Sequence, residues 1–267
     1  MFRLDGDIAV VTGAKGRLGP VWVEALLEAG ARVALLDLAG APASPGFDEI
    51  TRSSDANRLV SCDCDITDRQ SIETARDHIV SVFGPPAVLI NNAAVDQPPD
   101  PEAPRHTIET LPIGAFRRVI EVNLMGTFQM SQLFGSLMAD RGHGSIINIG
   151  SIYASVSPDQ RYYRYLPGEP PFLKPPAYGA SKAGVANLTK YFSTLWASRG
   201  VRVNTFSPGG VLGSQDAGFR RAYCERVPMG RMALADDLKG PLVFLASPAS
   251  SYVTGIELRA DGGYTVW

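Results

Sequence analysis

Three cysteines in the chain, Cys62, Cys64 and Cys224, are too few and too odd in number for a disulfide framework. Cys62 and Cys64 alternate with Asp63 and Asp65 at a strand end, but no further cysteine or histidine lies nearby at ligand spacing. Buried, reduced thiols are therefore the reading, and no metal is expected. Charge of one sign is also missing. The 25 basic and 27 acidic residues leave a formal charge of −2, which gives no basic stripe for nucleic acid. No run approaches the ~18 apolar residues of a membrane span. Met1 to Gly6 leads straight into an apolar strand without a basic region and long apolar core, so no export signal is read. A cytoplasmic location follows by default.

What is present is an ordinary globular balance, 45% apolar and 19% charged over 267 residues. Roughly 75% of the unfolded surface can be buried at that size, enough for a full core. Apolar strand-like segments alternate with helix-like ones. The strands are read at 8–12, 32–37, 59–63, 88–91, 145–149, 202–206 and 256–260. Helices are expected at 18–29, 68–83 (capped by Thr67 or Asp68), 115–141, 177–199 and 236–245. Near-continuous apolar strands separated by helices imply an α/β fold, a doubly wound parallel sheet of seven strands covered on both faces. No domain boundary or repeat interrupts residues 1–267. Two long loops, Gln97–Arg105 and Ser155–Pro176, lack regular pattern.

Thr12-Gly-Ala-Lys-Gly-Arg-Leu-Gly19 joins the first strand to the first helix. Glycines in that context permit a tight turn and close approach of backbone to a pyrophosphate at a helix N-terminus. Gly13, Lys15, Arg17, Leu18 and Gly19 are thus candidate cofactor contacts. Asp37, with Leu38, ends the second strand 18 residues beyond Gly19. A carboxylate there accepts from ribose hydroxyls and repels a 2′-phosphate, which favours NAD over NADP. Lys15 and Arg17 pull the other way, since either can reach a phosphate. Asp37 as a plain turn cap is the alternative.

Further motifs fall in order. Asn91-Asn-Ala-Ala94 follows the fourth strand, Val122-Asn-Leu-Met-Gly126 lies in the long helix, and Ser151 follows the fifth strand. Tyr178-Gly-Ala-Ser-Lys182 opens the next helix and Ser207-Pro-Gly-Gly210 follows the sixth strand. Taken together the chain resembles the short-chain dehydrogenase/reductase family in its single-domain form, over essentially its whole length. Oxidising an alcohol needs a base as hydride leaves. A free tyrosine, with a pKa near 10, is a poor one unless a nearby ammonium stabilises its phenolate. Tyr178 and Lys182 are i and i+4 and share a helix face. The resemblance implies that Ser151 hydrogen-bonds the substrate oxygen, that Lys182 also holds the nicotinamide ribose, and that Asn123 holds a water linking that lysine to solvent. It further implies Asp65 and Ile66 beside the adenine, Asn92, Ala93 and Ala94 along the cofactor floor, and Pro208, Gly209 and Val211 beside the nicotinamide. Asp65 as a helix cap and Pro208-Gly209 as a simple turn are the plainer readings.

Two features depart from the family form. The glycines give TGxxGxxG rather than TGxxxGxG, with Arg17 in place of the middle glycine. Ser151 and Tyr178 are 27 positions apart, about twice the usual separation. The surplus, Ser155–Pro176, carries Tyr162, Tyr163, Arg164, Tyr165 and Phe172. Either it overhangs the substrate pocket, where aromatics and an arginine suit a polar or anionic sugar-like molecule, or it is a surface or oligomer-contact loop. The expected activity is NAD-dependent interconversion of a secondary alcohol and a ketone on a polyol-like substrate. The alternatives are an NADP-dependent reductase of an apolar ketone and a non-catalytic cofactor-binding module. An enoyl reductase of the family would carry a wider tyrosine-to-lysine spacing. The resemblance also implies a homo-oligomer, a tetramer or dimer, and the apolar tail Tyr264–Trp267 is expected to pack on a neighbour or reach its active site.

Overall fold

Ile8, Ala9, Val10 and Val11 are apolar on both faces of one extended segment, so the strand they form needs cover from two sides. The computed structural model, which describes residues 1–100 and 102–267, supplies it. In chain order the elements are β1 (Ile8–Thr12), α1 (Gly19–Glu28), β2 (Arg32–Asp37), α2 (Pro45–Ser53), β3 (Leu59–Asp63), α3 (Arg69–Phe83), β4 (Val88–Asn91), α4 (Ile113–Ile120), α5 (Thr127–Arg141), β5 (Gly144–Ile149), α6 (Ala177–Trp196), β6 (Val201–Pro208), α7 (Ala217–Cys224), α8 (Asp236–Ala246) and β7 (Glu257–Ala260).

The strands form one parallel seven-stranded sheet in the order β3-β2-β1-β4-β5-β6-β7. Strand alternation divides the core in two. Ala9 and Val11 pack with Trp22 and Leu26 of α1 and Leu242 of α8. Ile8 and Val10 face the other way, with Ile72 of α3, Phe134 of α5 and Trp196 of α6. The chain winds outward from β1 to β3 and returns to β4 beside β1. The loops leaving β1 and β4 therefore diverge, and a crevice opens at their C-terminal ends, where such sheets bind ligands.

Asp68 caps α3, accepting from the Gln70 amide at 3.0 Å, as one of the two expected caps. The helix expected over 115–141 is broken into α4, a wide π turn at Glu121–Gly126, and α5. Asn123 lies in that turn. Helices α2 and α7 are not foreseen in the sequence, being short and half-exposed. Among the described residues no helix is long and apolar enough to cross a membrane.

Candidate active site

The β1–α1 turn is stapled to the end of β4. Thr12 Oγ1 accepts from the amides of Asn92 and Ala93, both at 3.0 Å. Asn92 Nδ2 donates to the carbonyls of Thr12 and Gly13, and its Oδ1 accepts from Trp22 Nε1 at 2.7 Å. Gly13 has φ +63°, and a Cβ on it would meet the Ala93 Cα at 2.8 Å. The crevice is a cleft of about 1400 Å³. Its cofactor end is lined by Gly13, Gly16, Arg17, Leu18, Asp37, Leu38, Asp65, Ile66, Asn92, Ala93 and Ala94, and Gly209 and Val211 line it from the segment after β6. Lys15, Gly19 and Pro208 are exceptions among the expected contacts. Lys15 reaches the Leu38 carbonyl at 3.4 Å, Gly19 is packed against the Ala14 carbonyl, and Pro208 ends β6 inside the fold; none lines the cleft.

These residues fit a dinucleotide. The Gly13 side leaves no room for a Cβ, no side chain caps the α1 N-terminus, and Asp37 stands at the end of β2. The Asp37 carboxylate accepts from the amides of Lys15 at 2.8 Å and Leu38 at 2.9 Å. Arg17, whose glycine-replacing position drew attention in the sequence, donates to the Val211 carbonyl at 2.6 Å and so bridges the turn to the segment after β6. Asp65 lines the cleft and also accepts from the Thr67 amide and hydroxyl, so it serves as a turn cap as well.

At the other end, Ser151 follows β5, and α6 brings Tyr178 and Lys182 to the same wall of the cleft. Lys182 is buried; its Nζ donates to the Ile149 carbonyl at 2.6 Å and sits 5.6 Å from the Tyr178 ring centroid. Burial pushes this ammonium down to about 8, opposed by the Asp96 carboxylate. Burial pushes the Tyr178 phenol up, the Asp96 charge adds to that, and the Ser151 hydroxyl pulls it down. The Lys182 ammonium donates to the Ile149 carbonyl beside the Tyr178 ring, and the Ser151 hydroxyl favours the Tyr178 phenolate.

Asn123 does not line the cleft. Its Oδ1 accepts from the Val95 amide at 2.7 Å and its Nδ2 donates to the Val95 carbonyl and to Ser181 Oγ. It therefore clasps the loop after β4 to α6, a positioning contact that its helical setting in the sequence gave no means to read.

Ser155–Pro176 does lean over the cleft. Tyr163, Tyr165, Leu166 and Phe172 line it, and the Tyr163 and Phe172 rings meet at 4.9 Å. Arg164, the arginine expected to face substrate, is instead exposed and away from the cleft. Among the cations there are Arg105, which reaches the Gly168 and Pro170 carbonyls across the two long loops, and Lys174. Lys174 pairs with Asp96 at 2.5 Å and lies 5.6 Å from the Tyr178 ring centroid. Sequence reasoning passed over both. A lone lysine among prolines and an aspartate two residues past Ala94 match no motif, and only the fold joins them. The tail packs in part on its own chain and leaves Val266 and Trp267 exposed. Tyr264 is buried within its own chain against Tyr223 and Tyr162, and Trp267 Nε1 donates to the Arg226 carbonyl.

Residues 13–265 match a family model described as enoyl-(acyl carrier protein) reductase. The chain is 35% identical to a D-threitol dehydrogenase of Mycolicibacterium smegmatis, over 99% of this chain and 95% of that protein. Among solved structures it is similar to a gluconate 5-dehydrogenase from Burkholderia cenocepacia in complex with NADP and tartrate, with a TM-score of 0.84, 29% identity, and coverage of 100% and 98%. It is also similar to a short-chain dehydrogenase from Leptospira borgpetersenii with bound NAD+, with a TM-score of 0.80, 34% identity, and coverage of 98% and 94%.

Proposed function

The chain belongs to the short-chain dehydrogenase/reductase family, and from that premise we propose that it is an NAD-dependent dehydrogenase of polyols, interconverting a secondary alcohol and its ketone. The observation that carries this reading is the meeting of Ser151, Tyr178 and Lys182 on one wall of a cleft whose far end holds Asp37. The likeness to a threitol dehydrogenase supports the substrate class, as does the mixture of carboxylates, cations and aromatic faces around the substrate end.

The residues that would hold the dinucleotide are Gly13, Leu18, Asp37, Asp65, Ile66, Ala93, Ala94, Gly209 and Val211, with Lys182 toward its nicotinamide end. The bound group supplies a hydride acceptor. The protein's part is the proton. In oxidation the substrate hydroxyl gives its proton to Tyr178 Oη; in reduction Tyr178 returns it. Ser151 donates to the substrate oxygen and lowers the cost of the charge that develops there. Lys182 places a positive charge beside the phenol and favours the ionised form once a proton must leave. Such proton transfer contributes roughly 10² to 10⁴ in rate.

Asp37 supports NAD as the cofactor. Its carboxylate is fixed by two amides, while Lys15 and Arg17 are both turned to carbonyls. The exposed apolar side chains Tyr191 and Leu195 of α6 and Phe128 of α5 support a homo-oligomer, which sedimentation of the pure protein tests. The activity test is NADH formation across neutral polyols, sugar acids and simple alcohols, with Tyr178→Phe as the control. Turnover by wild type and its loss in the variant, with NADH binding kept, is the expected result. Substantial turnover by the variant would remove Tyr178 from the chemistry.

A further inference from the structure

Lys174 and Asp96 stand beside Tyr178 and away from the cofactor end, and Asp96 acts on the Tyr178 phenol only through its charge. Lys174 is 4% exposed, and a lysine so buried needs a partner. Asp96 Oδ1 and the Gln97 carbonyl engage its ammonium. An ammonium has three protons, so one is left to give. The Asp96 side chain is 45% exposed, and Lys174 engages only its Oδ1, so Oδ2 is left to accept. Both residues line the cleft.

Each partner is held by the same device, a side-chain amide that clasps a backbone from both sides. Gln160 Nε2 donates to the Lys174 carbonyl at 3.2 Å, and the Lys174 amide donates back to Gln160 Oε1 at 3.0 Å. Asn123 does the same for Val95, the residue before Asp96. A pair that only anchored the loop would not need its carboxylate half-open to the cleft and its ammonium against the reacting tyrosine.

The geometry points to Lys174 and Asp96 as a neutral donor–acceptor clamp that grips substrate hydroxyls next to the carbon oxidised at Tyr178, and so selects an uncharged polyol over a sugar acid. This rests on the dehydrogenase reading above. A hydroxyl both donates and accepts, so it satisfies both halves of the pair. A lysine already neutralised by Asp96 has little to offer a carboxylate. Around it, Asp100, Glu169 and Asp216 line the same cleft, and their charges oppose those of Arg105 and Arg118, so the mouth is not a cationic trap.

The test compares D-threitol with 2-butanol, which keeps a secondary alcohol but lacks neighbouring hydroxyls, and with gluconate. Wild type, Lys174→Met, Lys174→Arg and Asp96→Asn are measured for kcat and KM, for NADH affinity, and for threitol binding by calorimetry on an NADH-loaded Tyr178→Phe background. Lys174→Met is expected to lower kcat/KM for threitol about ten- to hundredfold, mainly through KM. Its 2-butanol turnover and NADH affinity stay unchanged, and Lys174→Arg recovers much of the loss. Asp96→Asn leaves the ammonium unpaired and is expected to raise gluconate relative to threitol about tenfold. Equal losses on threitol and 2-butanol would make Lys174 a loop anchor and overturn the clamp while leaving the dehydrogenase reading intact. Gluconate preferred by wild type overturns the clamp as well. No NADH from any alcohol and no threitol binding would overturn both readings. If Lys174→Met does not fold, Asp96→Asn decides: a gluconate gain supports the clamp, and no gain overturns it.

Discussion

The hydroxyls of Tyr162 and Tyr264 meet at 2.9 Å, although 102 residues separate them in the chain. One stands in the loop that overhangs the cleft, the other in the C-terminal tail, and Tyr223 packs against both rings. Burial pushes the Tyr162 phenol up, and the Tyr264 hydroxyl adds to the shift. The tail is thus a strut for the loop. Tyr162→Phe leaves the Tyr264 hydroxyl buried without its partner and should cost about 1–3 kcal/mol of stability, read by urea unfolding. Polyol KM should rise while NADH affinity holds. A double variant with Tyr264→Phe should lose less than the sum of the singles, because both remove one interaction. Strict additivity would show that the hydroxyls act independently.

Lys182 sets a pH dependence of stability. Burial brings its folded pKa to about 8, below the 10.5 of a free lysine. Below about pH 8 both states carry the charge, and the folded protein bears the cost of burying it. As pH rises from 8 toward 10.5 the folded state sheds the proton first, the unfolded state binds more protons, and stability rises. Lys182→Met should therefore be more stable than wild type at pH 7, with the gap closing toward pH 10. Unfolding curves at several pH values check this, and a gap of constant size would show that Lys182 is not the titrating group. Tyr178, held protonated by burial and by Asp96, sets the kinetics: polyol oxidation should climb with pH and ketone reduction should fall.

Much of this was legible in the sequence for a physical reason. β1, β2, β4 and β5 are apolar on both faces, so their period and length are visible without tertiary context. The same holds for Tyr178 and Lys182, whose spacing alone puts them on one face of a helix. The strap over the cleft was visible as an excess of chain between Ser151 and Tyr178, but its contents were not. Arg164 looked like the substrate cation and is exposed, while Lys174, with no neighbouring pattern, is the buried one. Asn123 shows the same limit. Its clasp on Val95 depends on a π turn, and nothing in Val122–Gly126 distinguishes that from ordinary helix. Contacts made across the fold leave no local period to read.

Gly13 tests the close approach of two loops. Its φ of +63° strains any other residue, and a Cβ would meet the Ala93 Cα at 2.8 Å. The Ala93 amide donates to the Thr12 hydroxyl and cannot step aside without breaking that staple. Gly13→Ala should cost roughly 1–2 kcal/mol from the left-handed conformation alone. It should also weaken NADH binding, read by fluorescence titration. Loss of stability with NADH affinity untouched would separate this glycine from the cofactor.

Asp37 is the residue on which the proposed preference for NAD rests. Its carboxylate is fixed by the amides of Lys15 and Leu38, which use part of its accepting capacity and aim the rest at the cleft it lines. A ribose with free hydroxyls donates to such a group; a 2′-phosphate brings a second negative charge against it. Arg17 and Lys15 do not relieve that repulsion, because each is turned to a carbonyl. Asp37→Ser keeps a small oxygen for the amides and removes the charge. NAD kcat/KM should fall roughly ten- to hundredfold, the range for hydrogen bonds to a charged group, while NADP turnover rises. The ratio of the two specificity constants is the readout, since damage to the fold lowers both together. A wild type that already prefers NADP, or a variant whose ratio stays put, would mean that the carboxylate serves the turn and not the ribose.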